Sequence, residues 1–248
     1  MSKNKEETTN KRRFFTHNDD KNNNDYNLRD FLSILENKNE LLIIDKKVNK
    51  KFQLASIIAK LDKKEAILFT NVEGSNFKVV SNILGTRSRF FYGIKTNSEH
   101  GKIDFSNFAS INKENYPIKI SSDAPFCKNS SKNLFDLPII THFEKDAGPF
   151  ITSSIIYVKD EETGNQNSST HRMLLLNSNE MAIRMVEGRH LHKCFVQSKE
   201  HKEDLKINVV IGVHPAVNLA AAYQAAHGID EISIANYLLN GKLELAKN

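Results

Sequence analysis

One apolar segment with a turn on each side constrains the fold of this 248-residue chain more than any other feature. Residues 150–158, FITSSIIYV, are rich in the β-branched residues that favour strands. DAGP at 146–149 precedes the segment and DEETGN at 160–165 follows it, and both contain residues that turns prefer. A second apolar run lies at 173–176. The pattern predicts a β-hairpin, with the polar side chains of residues 167–172 at the start of its second strand.

The chain before the hairpin alternates between helical and extended patterns, which indicates an α/β layer. The predicted elements are helices at 28–37 and 52–61 and strands at 41–44, 66–70 and 78–80. Between 95 and 135 the periodicity is lost. We predict a connection there, with a short helix at 105–111 and a strand near Ile118.

Beyond the hairpin the sequence predicts further strands and then helices. Residues 181–186 and 207–213 have strand patterns, and Pro215 begins a predicted helix at 216–227. A last helix is predicted at 231–239. The fold class is therefore α+β, and the mostly antiparallel strands favour a small barrel or a β-sandwich. The predicted divisions are a disordered tail at 1–26, an N-terminal α/β domain at 27–115 and a second domain at 116–248.

Composition excludes several classes of function. The formal net charge of +5 is spread along the chain without a basic stripe or a nucleic-acid-binding motif, so we expect no nucleic-acid partner. No apolar run reaches the ~20 residues of a membrane helix, and the N-terminus has no apolar signal core. We expect a cytoplasmic protein without a membrane partner. Cys127 and Cys194 are far apart in the sequence and are expected to be free thiols.

The common nucleotide-binding and hydrolytic motifs are absent from the sequence. Several polar residues remain as candidates, each with a structural alternative. Arg172 can bind a carboxylate through its guanidinium fork or lie at the surface. The amide oxygen of Asn167 can ligate a hard cation or serve in a turn. Glu231, considered without the rest of the sequence, is expected to be an acidic residue in the first turn of a helix, where the helix dipole favours it.

The histidines are also ambiguous. His190 and His192 would share a face on a strand and could form a metal pair, but no third ligand is evident. His214, directly before Pro215, predicts a strand-to-helix turn.

A resemblance to a known family extends these interpretations. DAGPFIT at 146–152 and the spacing D-x-x-T-G-x-x-N-x-x-x-x-R at 160–172 resemble the UbiD family of decarboxylases, which use prenylated FMN. Six blocks resemble the same family in the same order, so that the resemblance covers nearly all of the chain after residue 26. These blocks are 28–45, 67–89, 136–152, 184–192, 209–217 and 228–245.

The resemblance implies a fold and a set of site residues. The second domain would be a split β-barrel of the flavin-reductase type. Asn167 and Glu231, with Asp230 as the competing acid, would ligate Mn²⁺ that bridges to the flavin phosphate, and K⁺ stays open as a further ion. Arg172 would be the catalytic residue that contacts the flavin and the substrate carboxylate. The residues implied to bind the cofactor are Thr170, His171, Arg172, Arg184, Met185, Val186, Arg189 and His190.

The implied activity is non-oxidative decarboxylation of an α,β-unsaturated or aromatic acid, with the flavin as electron sink. The wording SSTHRM at 168–173 resembles the archaeal branch, which implies trans-anhydromevalonate 5-phosphate as substrate; a 4-hydroxybenzoate-type acid of quinone synthesis is the rival. Family members continue into a C-terminal domain that this sequence lacks. We therefore expect either a separate chain that supplies the domain or a flavin-binding subunit that is inactive alone. The oligomers of the family imply a homo-oligomer. A flavin-reductase-like oxidoreductase is the remaining alternative.

Overall fold

The computed structural model describes residues 14–15, 26–94, 117–122, 130–224 and 230–246. The predicted helix at 105–111, Cys127 and nearly all of the predicted tail lie outside these residues. The helices are α1 (Leu28–Asn37), α2 (Gln53–Lys60), α3 (Arg87–Gly93), α4 (His190–Glu200), α5 (Pro215–Ala222) and α6 (Glu231–Leu238). The strands are β1 (Leu41–Ile44), β2 (Ala66–Phe69), β3 (Val79–Ser81), β4 (Lys119–Ser121), β5 (Phe150–Lys159), β6 (Gln166–Leu175), β7 (Met181–Ile183), β8 (Ile207–Val210) and β9 (Glu244–Ala246).

The N-terminal elements form the α/β layer that the sequence predicts. The sheet order is β1-β2-β3, with β1 parallel to β2 and β2 antiparallel to β3. The central strand β2 is buried at all four positions, as expected for a strand paired on both edges. Helix α1 begins at the N-cap Asn27, whose side chain accepts hydrogen bonds from two backbone N–H groups. Its buried residues Phe31 and Leu35 pack towards this sheet with Ala66.

The predicted hairpin is confirmed. β5 and β6 pair in antiparallel register and lie at the centre of a four-stranded sheet in the order β7-β6-β5-β8. In the connecting turn, the Asp160 side chain accepts hydrogen bonds from the backbone N–H groups of Glu162 and Thr163. Gly164 has a φ of +70°, a conformation that glycine adopts without steric cost.

Both faces of this antiparallel sheet are covered, which explains why residues 155–158 of β5 are continuously apolar. Ile155 packs with residues of α5 and α6 on one face, whereas Ile156 packs with Leu191 and Cys194 of α4 on the other. Ile155 and Ile156 are both fully buried, at 0 % exposure. Because successive side chains of a strand point to opposite faces, a strand covered on both sides loses the apolar–polar alternation.

Sequence interpretation missed helices α3 and α4 and strand β9, and α4 rules out the strand face that His190 and His192 would have shared. Leu191 and Cys194 recur at helical spacing, and both are buried. Other predicted boundaries are too long. β7 and β8 end at Ile183 and Val210, not at residues 186 and 213. Helix α5 ends at Ala222 because Tyr223 adopts an extended backbone, and residues 225–229 lie outside the described part of the chain.

The N-terminal elements pack directly against the helices that follow the sheet. Phe31 of α1 makes an edge contact with His214, at 5.8 Å between ring centroids. His214 is the N-cap of α5, as the predicted strand-to-helix turn requires, and its Nδ1 accepts a hydrogen bond from the N–H of Ala216. Gly93, at the end of α3, lies so close to α5 that an added Cβ would stand 2.7 Å from the Cβ of Pro215. Close packing of α3 on α5 therefore needs glycine at this position.

Substitution Gly93→Ala tests this contact. We expect it to destabilise the chain by about 1–3 kcal/mol through overpacking, although alanine is the better helix former. The free energy of unfolding in urea is the measurement. Ser56→Ala, at an exposed position of α2, is the matched control and should change it by less than about 0.5 kcal/mol. An unchanged Gly93→Ala variant would show that the two helices separate without cost.

Candidate functional site

Three polar side chains converge at one edge of the four-stranded sheet. Asn167 lies at the start of β6, His190 is the first residue of α4 and Glu231 is the first residue of α6. The Nδ2 atom of Asn167 lies 3.0 Å from Oε1 of Glu231 and 3.0 Å from Nδ1 of His190. An amide, an imidazole and a carboxylate from three separate elements thus meet at a single point.

The lengths of the strands and the cap of α6 explain why Glu231 reaches β6. β7 pairs with residues 173–175, so within the described residues no strand covers the edge of β6 at Ser168. The Ser168 N–H donates instead to Oε2 of Glu231, at 2.9 Å. Asp230 is the N-cap of α6, and its Oδ1 accepts a hydrogen bond from the N–H of Ile232. Asp230 therefore closes the helix, and Glu231 is left to reach the sheet.

Burial shapes the electrostatics of this carboxylate. Glu231 is 3 % exposed, and no Lys or Arg of the described residues pairs with it. Desolvation raises the pKa of Glu231, and the charge of Asp230 raises it further, while the hydrogen bonds from Ser168 and Asn167 lower it. A cation beside this carboxylate would offset the desolvation.

The side-chain oxygen of Asn167 is a second indication of a ligand site. Its Oδ1 is buried and has no hydrogen-bond partner, which is rare for a buried polar atom. A half-turn of the amide would exchange Oδ1 with Nδ2 and place an oxygen beside Glu231 and His190. The 3.0 Å spacings are those of ordinary hydrogen bonds, and they bring the amide, the imidazole and the carboxylate close enough together to share one ion. The residues present therefore fit a divalent cation.

The alternative in which His190 and His192 form a metal pair does not hold, because both residues lie on a helix and not on a strand. Positions i and i+2 point to different sides of a helix. His192 Nδ1 instead lies 3.4 Å from the backbone N of Gly188. Among the residues that the structure describes, no three His, Cys, Asp or Glu side chains cluster, and it is Asn167 that completes the set around His190. Sequence interpretation placed His190 with the cofactor-binding residues; the helical spacing of Leu191 and Cys194 was the available signal for α4.

Arg172 lies on β6 five residues beyond Asn167 and is exposed. Its guanidinium carbon is 5.7 Å from the ring centroid of Phe150, a cation–π arrangement. No described acidic side chain forms an ion pair with Arg172. The guanidinium therefore remains available to an anion from outside the protein.

The other predicted cofactor-binding residues are a hydrogen-bonded histidine, a methionine packed against the core and four exposed residues. The imidazole of His171 is held at both ends: Nδ1 lies 3.1 Å from the backbone oxygen of Arg184, and Nε2 lies 3.0 Å from the hydroxyl of Ser169. Because a carbonyl accepts, the proton of the neutral ring belongs on Nδ1. Met185 packs against the core on the α4 side of the sheet. The exposed members of the predicted set are Thr170, Arg184, Val186 and Arg189.

Fold and site together define a mixed α/β protein with a candidate metal centre of amide, imidazole and carboxylate, and with an exposed arginine further along β6 that no described acid pairs. Two family profiles match the sequence: the 3-octaprenyl-4-hydroxybenzoate carboxy-lyase Rift-related domain over residues 118–248, and the N-terminal domain of the same carboxy-lyase over residues 32–101. The chain belongs to the UbiD family.

Similar proteins cover nearly all of the chain. The anhydromevalonate phosphate decarboxylase of Methanothermobacter thermautotrophicus is 29% identical over 89% of this chain and 50% of the relative. That of Methanocaldococcus jannaschii is 35% identical over 84% of this chain and 48% of the relative. The UbiD-class enzyme HmfF from Pelotomaculum thermopropionicum in complex with FMN has a TM-score of 0.81 and 31% identity, over 90% of this chain and 51% of HmfF. The chain thus spans about half the length of the curated relatives it matches.

In the described part of the chain, no helix is long and apolar enough to cross a membrane.

Substitution Glu231→Gln tests the electrostatics of the site. The pKa of Glu231 is raised in the folded state, so the carboxyl favours folding when protonated, and this contribution is lost as the pH rises from the unfolded pKa through the folded pKa. Gln has no charge to desolvate, and its amide can donate to the Asn167 oxygen. We expect a higher midpoint of urea denaturation than wild type at pH 7, with the difference vanishing towards pH 4.

Glu187→Gln, which removes an exposed carboxylate, is the control and should not change this pH dependence. A Glu231→Gln variant that is less stable than wild type at pH 7 would show that the carboxylate stabilises the apoprotein.

Proposed function

We propose that this chain is the cofactor-binding half of a UbiD-type decarboxylase that uses prenylated FMN and a divalent metal. The observation that carries the proposal is the meeting of three polar side chains, in which Nδ2 of Asn167 lies 3.0 Å from both His190 and Glu231. Membership of the UbiD family supports the reaction class. The four-stranded sheet would belong to a split β-barrel of the flavin-reductase type.

The metal site would consist of the Asn167 amide oxygen, a His190 nitrogen and the Glu231 carboxylate. Mn²⁺ suits this mixed set of oxygen and imidazole donors. K⁺ would be a second ion, bound elsewhere on the flavin phosphate. Charge neutralisation at Glu231 is what the protein gains from the ion, because that carboxylate is buried and no Lys or Arg of the described residues pairs with it.

Arg172 would bind the carboxylate of the substrate, since its fork fits a carboxylate and no described acid competes for it. A prenylated flavin, when bound, supplies the electron sink for the carbanion left by departing CO₂. The side chains that would contact it are those of Thr170, His171, Arg184, Val186 and Arg189. Met185 would shape the pocket from the core, where it is packed.

The substrate would be a small α,β-unsaturated or aromatic acid. Four relatives from archaea, each about 29–35% identical, are anhydromevalonate phosphate decarboxylases, which favours trans-anhydromevalonate 5-phosphate. A 4-hydroxybenzoate-type acid is the second candidate, because a Chlamydia pneumoniae relative with 26% identity is named as one of the subunits of a 4-hydroxybenzoate decarboxylase.

Turnover would need the half of the relatives that this chain does not match. We propose that a further polypeptide segment or a separate subunit supplies it, and that the chain assembles as a homo-oligomer. HmfF has an evolved dimeric form that binds prFMN, with a TM-score of 0.82 to this chain, which supports the assembly.

Binding of Mn²⁺ to the chain and its variants tests the proposed metal site. Mn²⁺ should raise the melting temperature of the wild-type chain and lose its free-ion electron paramagnetic resonance signal on binding. Asn167→Ala, His190→Ala and Glu231→Gln should each weaken Mn²⁺ affinity by at least about tenfold. The two alanine variants each remove a ligand, and Glu231→Gln removes the negative charge that attracts the ion. His192→Ala, two residues from His190 on the same helix, is the matched control and should bind like wild type. Equal affinity in all variants would place the ion elsewhere.

Release of CO₂ tests the proposed decarboxylase activity. The chain is combined with a polypeptide that covers the second half of its relatives, and with prenylated FMN and Mn²⁺, and CO₂ release is measured from both candidate acids. We expect release to require all four components and to fall at least about 100-fold in Arg172→Ala. NAD(P)H oxidation with ordinary FMN would instead favour a flavin-reductase-like oxidoreductase. Flavin binding without any turnover would identify a protein that is inactive in this form.

A further inference from the structure

Strand β5 contains a β-bulge directly opposite Arg172. In the β5–β6 ladder, Ile151 pairs with Met173, and the next pair is Ser154 with His171. The step between these pairs is three residues along β5 but only two along β6. Thr152 and Ser153 therefore stand opposite one residue, Arg172. On the far side of the bulge, the hydroxyl of Ser154 donates to the backbone oxygen at residue 171, at 2.9 Å, and fixes the resumed ladder.

The hairpin does not need this extra residue to bury its core. Ile151 and Ser154 flank the bulge, and both are buried. They pair with Met173 and His171, which share a face of β6 because they are two residues apart. A regular strand with one residue fewer would therefore place Ile151 and Ser154 on the same face as the bulged strand does. The bulge changes only what is presented opposite Arg172.

The bulge presents hydroxyl groups. Thr152 and Ser153 are both exposed, although regular alternation would expose one of them. Neither hydroxyl has a hydrogen-bond partner among the described residues, and Arg172 has no ion-pair partner there. The Phe150 ring lies beside the guanidinium, at 5.7 Å, and limits where the arginine side chain can move. Bulges recur beside active sites, where they re-aim side chains.

We propose that Thr152, Ser153 and Arg172 form a carboxylate-binding notch. In this notch the guanidinium binds the carboxylate of a small unsaturated acid while the hydroxyls of the bulge donate to its oxygens. The inference rests on the proposed function for the role of Arg172, and it assigns Thr152 and Ser153 as positioning residues for the substrate. Hydroxyl donors suit a carboxylate, which is acceptor-only when ionised.

Binding of two probes to the 248-residue chain tests the notch. Crotonate, a short α,β-unsaturated monocarboxylate, is titrated into the FMN-loaded chain by NMR, and FMN is titrated separately by fluorescence. Thr152→Val and Ser153→Ala should each weaken crotonate binding by about tenfold, the loss expected for one hydrogen bond to a charged group. Deletion of Ser153 should weaken it further while the urea midpoint stays near that of wild type. FMN affinity should stay within about twofold.

The conservative variants Thr152→Ser and Ser153→Thr retain the hydroxyls and should bind crotonate like wild type. Unchanged crotonate affinity in Thr152→Val and Ser153→Ala, or no crotonate binding by the wild-type chain, would overturn the notch. Weaker FMN binding with unchanged crotonate binding would assign the hydroxyls to the flavin and would also overturn it. None of these outcomes depends on Mn²⁺ binding or on CO₂ release, so failure of the notch is distinguishable from failure of the decarboxylase proposal.

Discussion

The contact of the Glu231 carboxylate with the open edge of β6 holds the candidate site together. Its two oxygens accept from the Ser168 N–H and from the Asn167 amide, so a single side chain fastens the first turn of α6 to the sheet. The contact exists because β7 is short and because Asp230 has already capped the helix. Burial makes the same carboxylate costly to ionise. A group that costs stability in the apoprotein and lies beside an unsatisfied amide oxygen is typical of a ligand site.

The four-stranded sheet gives this site its rigidity. Ile155 and Ile156 are buried on opposite faces, so β5 is held between α5 and α6 on one side and α4 on the other. The helices on the two faces begin at the residues that form the site: His190 begins α4 and Glu231 begins α6. The same helices therefore both pack the core and position the polar groups of the site. Sites on rigid elements hold their geometry well.

Local sequence signals predicted much of the fold. The hairpin follows from its turn residues and β-branched strands, and α1 follows from its apolar spacing and its Asn27 cap. The signals failed where the tertiary structure overrides local preference. The sequence from His190 to His192 resembles a short extended segment. The segment is nevertheless helical, because a helix buries Leu191 and Cys194 against the sheet. The helix expected to continue to residue 227 ends at Ala222, where Tyr223 becomes extended.

The sequence by itself determined which chemical groups are present: an amide at Asn167, a guanidinium at Arg172 and a carboxylate at Glu231, in an order and spacing that resemble one family. Only the tertiary structure decided that His190 joins Asn167 and Glu231, and that two hydroxyl residues of a bulge stand opposite Arg172 in the β5–β6 ladder. The reason is physical. Composition and spacing act along the chain, whereas Asn167 and Glu231 are 64 residues apart, and their contact depends on where strand pairing stops and on which side of the sheet each helix packs.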